Sequence, residues 1–237
     1  MWRSIRGLLG LLCVVVGAAP APAHAGWHEP SRVVHSTANT LEQGEVMVGF
    51  FTPAAYGVTD SFQVMIHPIN WALLSPNVAF RYQVINTRWV DLSLTAEGGA
   101  TILQSGGGPA EQDGRPLAHL LAGMVSTFEM GAGSMLSLNA SYQRDFYPDD
   151  DALVWSVSLN WLIDTAHLIV TTGGAQYSFG AGELVLPYAS LMYAYSWDIL
   201  RIGVGAAMGN AFPIVRVNGN VDRDLRIWPV IDVWARF

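Results

Sequence analysis

Four stretches of the chain alternate apolar and polar residues with a period of two, the pattern of a strand with two unlike faces. Met135 to Gln143 sets Leu136, Leu138, Ala140 and Tyr142 against Ser137, Asn139, Ser141 and Gln143. Leu153 to Ile163 sets Leu153, Trp155, Val157, Leu159 and Trp161 against Ser156, Ser158 and Asn160. Trp89 to Glu97 opposes Val90, Leu92, Leu94 and Ala96 to Asp91, Ser93, Thr95 and Glu97. Leu200 to Gly209 opposes Leu200, Ile202, Val204, Ala206 and Met208 to Arg201, Gly203, Gly205 and Gly209. Less regular strands are expected at Ser61 to Trp71, Val78 to Ile85, His119 to Met130, Ala166 to Tyr177 and Glu183 to Tyr195. Glu45 to Val58 is extended too, but long and interrupted by Pro53. The chain ends on a strand whose alternate positions, Ile227, Pro229, Ile231, Val233, Ala235 and Phe237, are apolar.

The polar faces carry Ser, Thr, Asn, Gln and paired charges rather than the Lys/Glu mix of a wetted soluble sheet, which would be the rule in a soluble β-sandwich. The apolar faces carry Trp and Tyr near strand ends. Together these predict strands that are polar inside and apolar outside, as in a membrane barrel. Hydrophobic residues make up 51% of the chain and charged ones 13%. Yet beyond the front end no segment approaches the roughly 18 consecutive apolar residues of a membrane helix. The longest mostly apolar run, Leu184 to Tyr195, contains Pro187 and Ser190.

Connections sort by length. Asn86 to Arg88, Gly131 to Ser134, Asp164 to Thr165 and Ser196 to Asp198 are tight, and they alternate with longer ones at Gly98 to Leu117, Phe146 to Asp151, Phe179 to Gly182 and Asn210 to Asp224. Trp89, Trp161 and Trp197 fall at the tight-turn end, while Trp71, Phe146, Tyr147, Tyr177 and Phe179 fall near the loop end. Two aromatic girdles are the expectation.

The final strand, with its alternating apolar positions and terminal Phe237, resembles the closing strand of bacterial outer-membrane β-barrels. In that superfamily the terminal aromatic is read by the assembly machinery, so the resemblance implies that Phe237 is an assembly signal. It also implies outer-membrane lipid, lipopolysaccharide and the barrel-assembly machinery as partners, with the short turns periplasmic and the long loops outside. Tyr56-Gly57-Val58-Thr59-Asp60 resembles the periplasmic hairpin turns of porin-like families. The fold expected is therefore all-β: a transmembrane antiparallel up-and-down β-barrel with an even number of strands. Eleven segments can be read directly. A twelfth comes either from a bend within Glu45 to Val58 or from a strand at Arg32 to Leu41, so twelve is the expectation and ten the fallback.

The front end adds a compartment. Arg3 and Arg6 precede an apolar core from Leu8 to Ala19, broken by Pro20 and Pro22, and Ala23-His24-Ala25 offers a cleavage site. Residues 1–25 are expected to be a cleaved signal peptide. Residues 26–43 form a polar lead-in suited to a short periplasmic plug, and 44–237 form the barrel of a protein of the cell outer membrane. The one cysteine, Cys13, lies in the signal core, so the exported chain would have no disulfide and no thiolate metal site. All 12 basic residues are arginine. Without Arg3 and Arg6 ten remain against 19 acids, a charge of −9 that argues against nucleic-acid binding.

No catalytic constellation stands out. His28, His35, His67, His119 and His167 fit neither G-x-S-x-G nor H-E-x-x-H spacing. Lipid A deacylases place a His two residues before the nucleophilic Ser, but His119 is followed by Leu120-Leu121 and His167 by Leu168-Ile169. The run Asp145 to Asp151 carries Asp145, Asp149, Asp150 and Asp151 without the alternating ligands and glycine of a Ca²⁺ loop. It reads as a solvated outer loop, with Asp149, Asp150 and Asp151 the weak metal candidates, bridging lipopolysaccharide phosphates. Gly106-Gly107-Gly108-Pro109 is a loop and not a phosphate cradle. No cofactor is expected.

The charges on the inward faces are Arg81, Asp91, Glu97, Arg201, Asp232 and Arg236. A turn at Asn86 to Arg88 would pair Arg81 with Ser93, diagonal to Asp91. Arg201 would face the region of Asp232 and Arg236. Charges inside a narrow lumen need bonded partners, and a constriction and a packed polar core look alike in sequence. The function expected is a passive or gated pore, or a structural barrel with a polar lumen, and not an enzyme. The alternatives are a lipid-modifying outer-membrane enzyme, an adhesin or partner-binding barrel acting through Gly98 to Leu117 and Asn210 to Asp224, and a channel for hydrophobic compounds with a lateral opening near Pro53, Pro68 or Pro187.

Overall fold

The bend at Pro53 decides the strand count. Strand β1 (Val46–Gly49) and strand β2 (Ala54–Thr59) are the two halves of the expected Glu45 to Val58 segment. Asp232 fixes the bend between them: its carboxylate accepts the Phe51 N–H at 2.9 Å, the Thr52 N–H at 2.8 Å and the Thr52 hydroxyl at 2.5 Å. The other option, a strand from Arg32 to Leu41, does not form. A 3-10 turn (Pro30–Arg32) and irregular chain occupy that stretch.

The computed structural model describes residues 27, 30–34, 36–72, 74–101, 117–146, 149–197, 199–209 and 227–237. The expected signal peptide, His28, His35, Tyr147, the Gly106 to Pro109 run and most of the two longest expected loops lie outside these residues. After β2 the chain forms β3 (Phe62–Ile66), a short helix α1 (Pro68–Ala72), β4 (Asn77–Asn86), β5 (Val90–Thr101), β6 (Leu117–Gly131) and β7 (Ser134–Phe146). It then forms β8 (Asp149–Leu162), β9 (His167–Ser178), β10 (Glu183–Trp197), β11 (Leu200–Gly209) and β12 (Ile227–Arg236). Each strand pairs antiparallel with its sequence neighbour, and β12 returns to β1, so twelve strands close an up-and-down barrel. At the seam Met47 pairs with Arg236, Val48 with Ala235 and Gly49 with Trp234, and Phe237 and Val46 exchange backbone hydrogen bonds of 2.9 and 3.1 Å.

Three segment boundaries differ from expectation. Ser61 to Trp71 is strand only to Ile66, because Pro68 ends the ladder and starts α1, where its missing N–H costs nothing. Gly98 to Ala100 belong to β5 rather than to a loop. Asp149, Asp150 and Asp151 belong to β8 and Asp145 to β7, so the four acids of the run lie on strands rather than in a loop. A register shift between Gln83 and Ile85 also places Arg81 opposite Thr95, not Ser93, and so moves it further along the strand from Asp91.

The faces are inside-out. Along β8, Leu153, Trp155, Val157, Leu159 and Trp161 are each at least 40% exposed on the outer wall, while Ser158 and Asn160 are buried within. β7 and β11 divide in the same way: Leu138, Tyr142, Ile202, Val204 and Met208 are exposed, and Ser137, Ser141 and Arg201 are buried. The wall is uneven in height, since β1, β2 and β3 have 4, 6 and 5 residues against 10–15 for the others. The tight turns gather at one end. At Gly131 to Ser134, Gly131, Ala132 and Gly133 all take left-handed backbone angles.

The barrel interior is not uniformly polar. A buried apolar cluster of Trp27, Val33, Val34, Leu41, Met47, Met135, Leu168, Val170, Met192 and Trp234 is shared between the wall strands and residues 27–41. Met135 shares the inward parity of Ser137, which pattern alone reads as a polar face.

Candidate functional site: the lumen and the segment within it

Residues 30–34 and 36–41 form no strand, so their peptide groups need partners from elsewhere. Four adjacent strands supply them from inward polar positions. Gln63 of β3 accepts the Leu41 N–H at 2.9 Å. Arg81 of β4 donates to the Asn39 carbonyl at 2.9 Å and the Val34 carbonyl at 3.3 Å. Ser93 of β5 donates to the Ala38 carbonyl, and Thr127 of β6 accepts the Ala38 N–H at 2.7 Å. Thr127 is itself held to Ser137 of β7 at 2.9 Å. Both ends are tied to the tight-turn end of the barrel: Trp27 N–H donates to the Thr165 carbonyl at 2.9 Å and the Thr40 hydroxyl to the Asp60 carbonyl at 2.7 Å. Asn39 braces the segment from within through the carbonyls of Pro30 (3.1 Å) and Val33 (3.0 Å).

The opposite wall holds the charges. Arg236 donates to the Arg32 carbonyl at 2.7 Å and to the Glu45 carboxylate at 2.5 Å, and Arg32 pairs with Glu42 and, at 3.4 Å, with Glu45. The Arg201 guanidinium lies over the Trp27 ring, 5.5 Å from its centroid, and Trp27 packs against Trp234. Arg201 is buried, and its Nε and Nη1 have no hydrogen-bond partner among the described residues. A ring face offers a desolvated cation about 2 kcal/mol.

The expected charge network is therefore re-sorted. Arg81 bonds to the inner segment rather than approaching Asp91. Asp232 caps the β1–β2 bend and has no ion pair with Arg201 or Arg236 among the described residues. Arg236 finds Glu45 instead. Glu97 sits towards the loop end, where it accepts the Asn77 amide at 2.9 Å and lies 3.8 Å from His119. The His67 N–H donates to Asn77 at 3.1 Å. Burial pushes the His67 imidazole below its usual value, with the nearby Glu97 pulling the other way.

Strand parity separates the three aspartates proposed as metal ligands. Asp149 and Asp151 take opposite sides of Arg144, at 2.5 and 2.8 Å, and Tyr142 donates to Asp151. Asp150, on the other face of β8, accepts from Ser178 at 2.6 Å and from the Gly180 N–H at 2.9 Å. No group of three or more metal-ligating His, Cys, Asp or Glu occurs among the described residues. Among the aromatics, Trp89, Trp161 and Trp197 stand exposed at the tight-turn end. Tyr177 meets Phe179 edge-on at 5.4 Å at the other end, and Trp71, on α1, donates its indole N–H to the Asn77 carbonyl at 2.8 Å.

No family model matches the chain, and no curated protein matches it. Among solved structures it is similar to the NanC porin in a rhombohedral crystal form, at 8% identity and a TM-score of 0.52, over 81% of this chain and 98% of that one. Identity this low speaks to architecture and not to solute. By its closed twelve-stranded antiparallel wall and this likeness, the chain has the fold of a porin-like outer-membrane β-barrel.

Proposed function

We propose that the protein is a gated pore of the outer membrane, non-enzymatic, with its tight turns in the periplasm and residues 27–41 as the gate. One observation carries this reading: an irregular segment fills the tight-turn half of the lumen, and side chains from β3, β4, β5, β6 and β12 hold its backbone. A purely structural barrel could fill the same space with its own side chains, without bringing in a stretch that leaves peptide groups to be satisfied. An exported chain without Cys13 gives a clean test. With Ala38→Cys and Ser93→Cys, whose native residues are hydrogen-bonded, oxidation should lock the segment and lower conductance in a planar bilayer, and reductant should restore it. Conductance indifferent to the cross-link would show that the segment is not a gate.

A second reading, lateral passage of an apolar solute, is favoured by the low wall at β1–β3. Among the described residues no strand lies beside the β1-facing edge of β12 from Ile227 to Ile231, and Pro53 and Pro68 flank the gap. Protein-dependent uptake of an apolar dye into vesicles that exclude ions would select this reading over the first.

A further inference from the structure

At the tight-turn end an open cavity of about 280 Å³ lies between the 3-10 turn and the β4–β5 turn. Two carboxylates line it, Asp91 of β5 and Glu129 of β6: Asp91 stands opposite Thr127, which sets Glu129 diagonal to it on the same face. Neither has an ion-pair partner among the described residues. The cation at the rim, Arg88, is laid over the Trp89 ring at 4.9 Å. Asp91 is only 4% exposed, and its Oδ1 is buried without a hydrogen-bond partner. A carboxylate taken out of water and left beside a second one is costly unless a cation joins them. Of the remaining lining, Asn86 at the β4–β5 turn and Ser31 of the 3-10 turn supply neutral oxygens, while the Thr87 hydroxyl is engaged with Val90 and the Pro30 carbonyl with Val33 and Asn39.

We propose that this cavity binds a hard divalent cation of the Ca²⁺ class, with Asp91 and Glu129 as its anionic ligands and neutral oxygens from the two turns completing the shell. Oxygen-only donors suit Ca²⁺ rather than a soft metal, and two carboxylates suggest an affinity in the range of about 10⁻⁴–10⁻³ M. The ion would bridge the 3-10 turn at the foot of the inner segment to the barrel wall. It would do so whether or not the barrel conducts.

Terbium is the probe, because Trp89 stands beside the cavity as a sensitiser. Titrating Tb³⁺ into the purified full chain in detergent should give saturable emission under tryptophan excitation, displaced by Ca²⁺. Glu129→Gln, a conservative change at a partly exposed site, should weaken binding about tenfold or more, and Asp91→Asn should abolish it. Asp149→Asn with Asp151→Asn, at the outer acidic pair, should leave the signal unchanged. Thermal unfolding supplies a second readout. In chelator Asp91→Asn should unfold no lower than the wild type, since it removes an unpaired buried charge. With millimolar Ca²⁺ the wild type should move above it while the variant stays. Absence of saturable emission, emission unchanged in Glu129→Gln, or a Ca²⁺ shift that survives Asp91→Asn would each overturn the site.

Discussion

Replacing Thr127 by Val and Ser93 by Ala removes the two hydroxyls that satisfy Ala38 and changes no charge. Both residues are fully or almost fully buried, at 1% and 0% exposure, so water cannot step in without opening the site. The double variant leaves the Ala38 N–H and C=O unpaired, and each orphaned backbone group costs about 1–3 kcal/mol. Even at the low end, about 2 kcal/mol, the ratio of seated to released segment falls roughly 30-fold. The readout is a cysteine at Thr37, also fully buried. Labelled by a thiol reagent that stays in water, Thr37→Cys should react slowly in the parent barrel and at least about tenfold faster in the double variant. Heat-modifiable migration must show both barrels equally folded. Equal labelling rates in two folded barrels would refute the claim that these bonds hold the segment in the lumen.

Leu138→Arg, on the outer wall, should cost about 2–4 kcal/mol in lipid if it lies near the bilayer midplane, whereas Asn139→Arg, half-buried and inward, should cost far less by equilibrium unfolding. Ser137→Arg, although inward, should be poorly tolerated, because Ser137 packs on Thr127 beside the inner segment. Gly133→Ala should destabilise the β6–β7 hairpin more than Gly131→Ala. Both have left-handed backbone angles, but only at Gly133 would a Cβ meet backbone, the Leu162 carbonyl at 2.3 Å; urea midpoints of the two variants give the comparison. Deleting Phe237 removes a residue that closes the seam with Val46 and should slow assembly without blocking export, measured as the fraction of heat-modifiable protein in the outer membrane. A reactive tag near Gly107 should label on intact cells and one at Thr87 should not.

Period-two alternation made the barrel legible, because a lipid-facing wall forces apolar residues outward at every second position. The regular strands β5, β7, β8 and β11 stand where alternation placed them. The short β1–β3 hairpins were less legible, since Pro53 and Pro68 interrupt the pattern and leave too few residues to establish a period. The inner segment was the least legible. Val33, Val34 and Leu41 look like scattered apolar residues in a polar lead-in, and only the closed wall shows that they meet Met135, Leu168 and Trp234. The same holds for the charges: Arg81 reads as a partner for a carboxylate along the wall, yet it donates to carbonyls of the segment, and Arg236 adds the Arg32 carbonyl to its Glu45 partner; a backbone acceptor has no signature in sequence. A signal was nonetheless present in Gln63, Ser93, Thr127 and Ser137, polar residues recurring at inward positions of neighbouring strands.

On the proposed reading, residues 27–41 close a lumen that would otherwise conduct. Single-channel recording of the intact protein beside a variant lacking residues 30–40, both shown to be folded by heat-modifiable migration, tests it most directly. The intact barrel should show rare or small openings, and the barrel without the segment large, sustained steps. Equal conductance in the two, or silence in both, would contradict it.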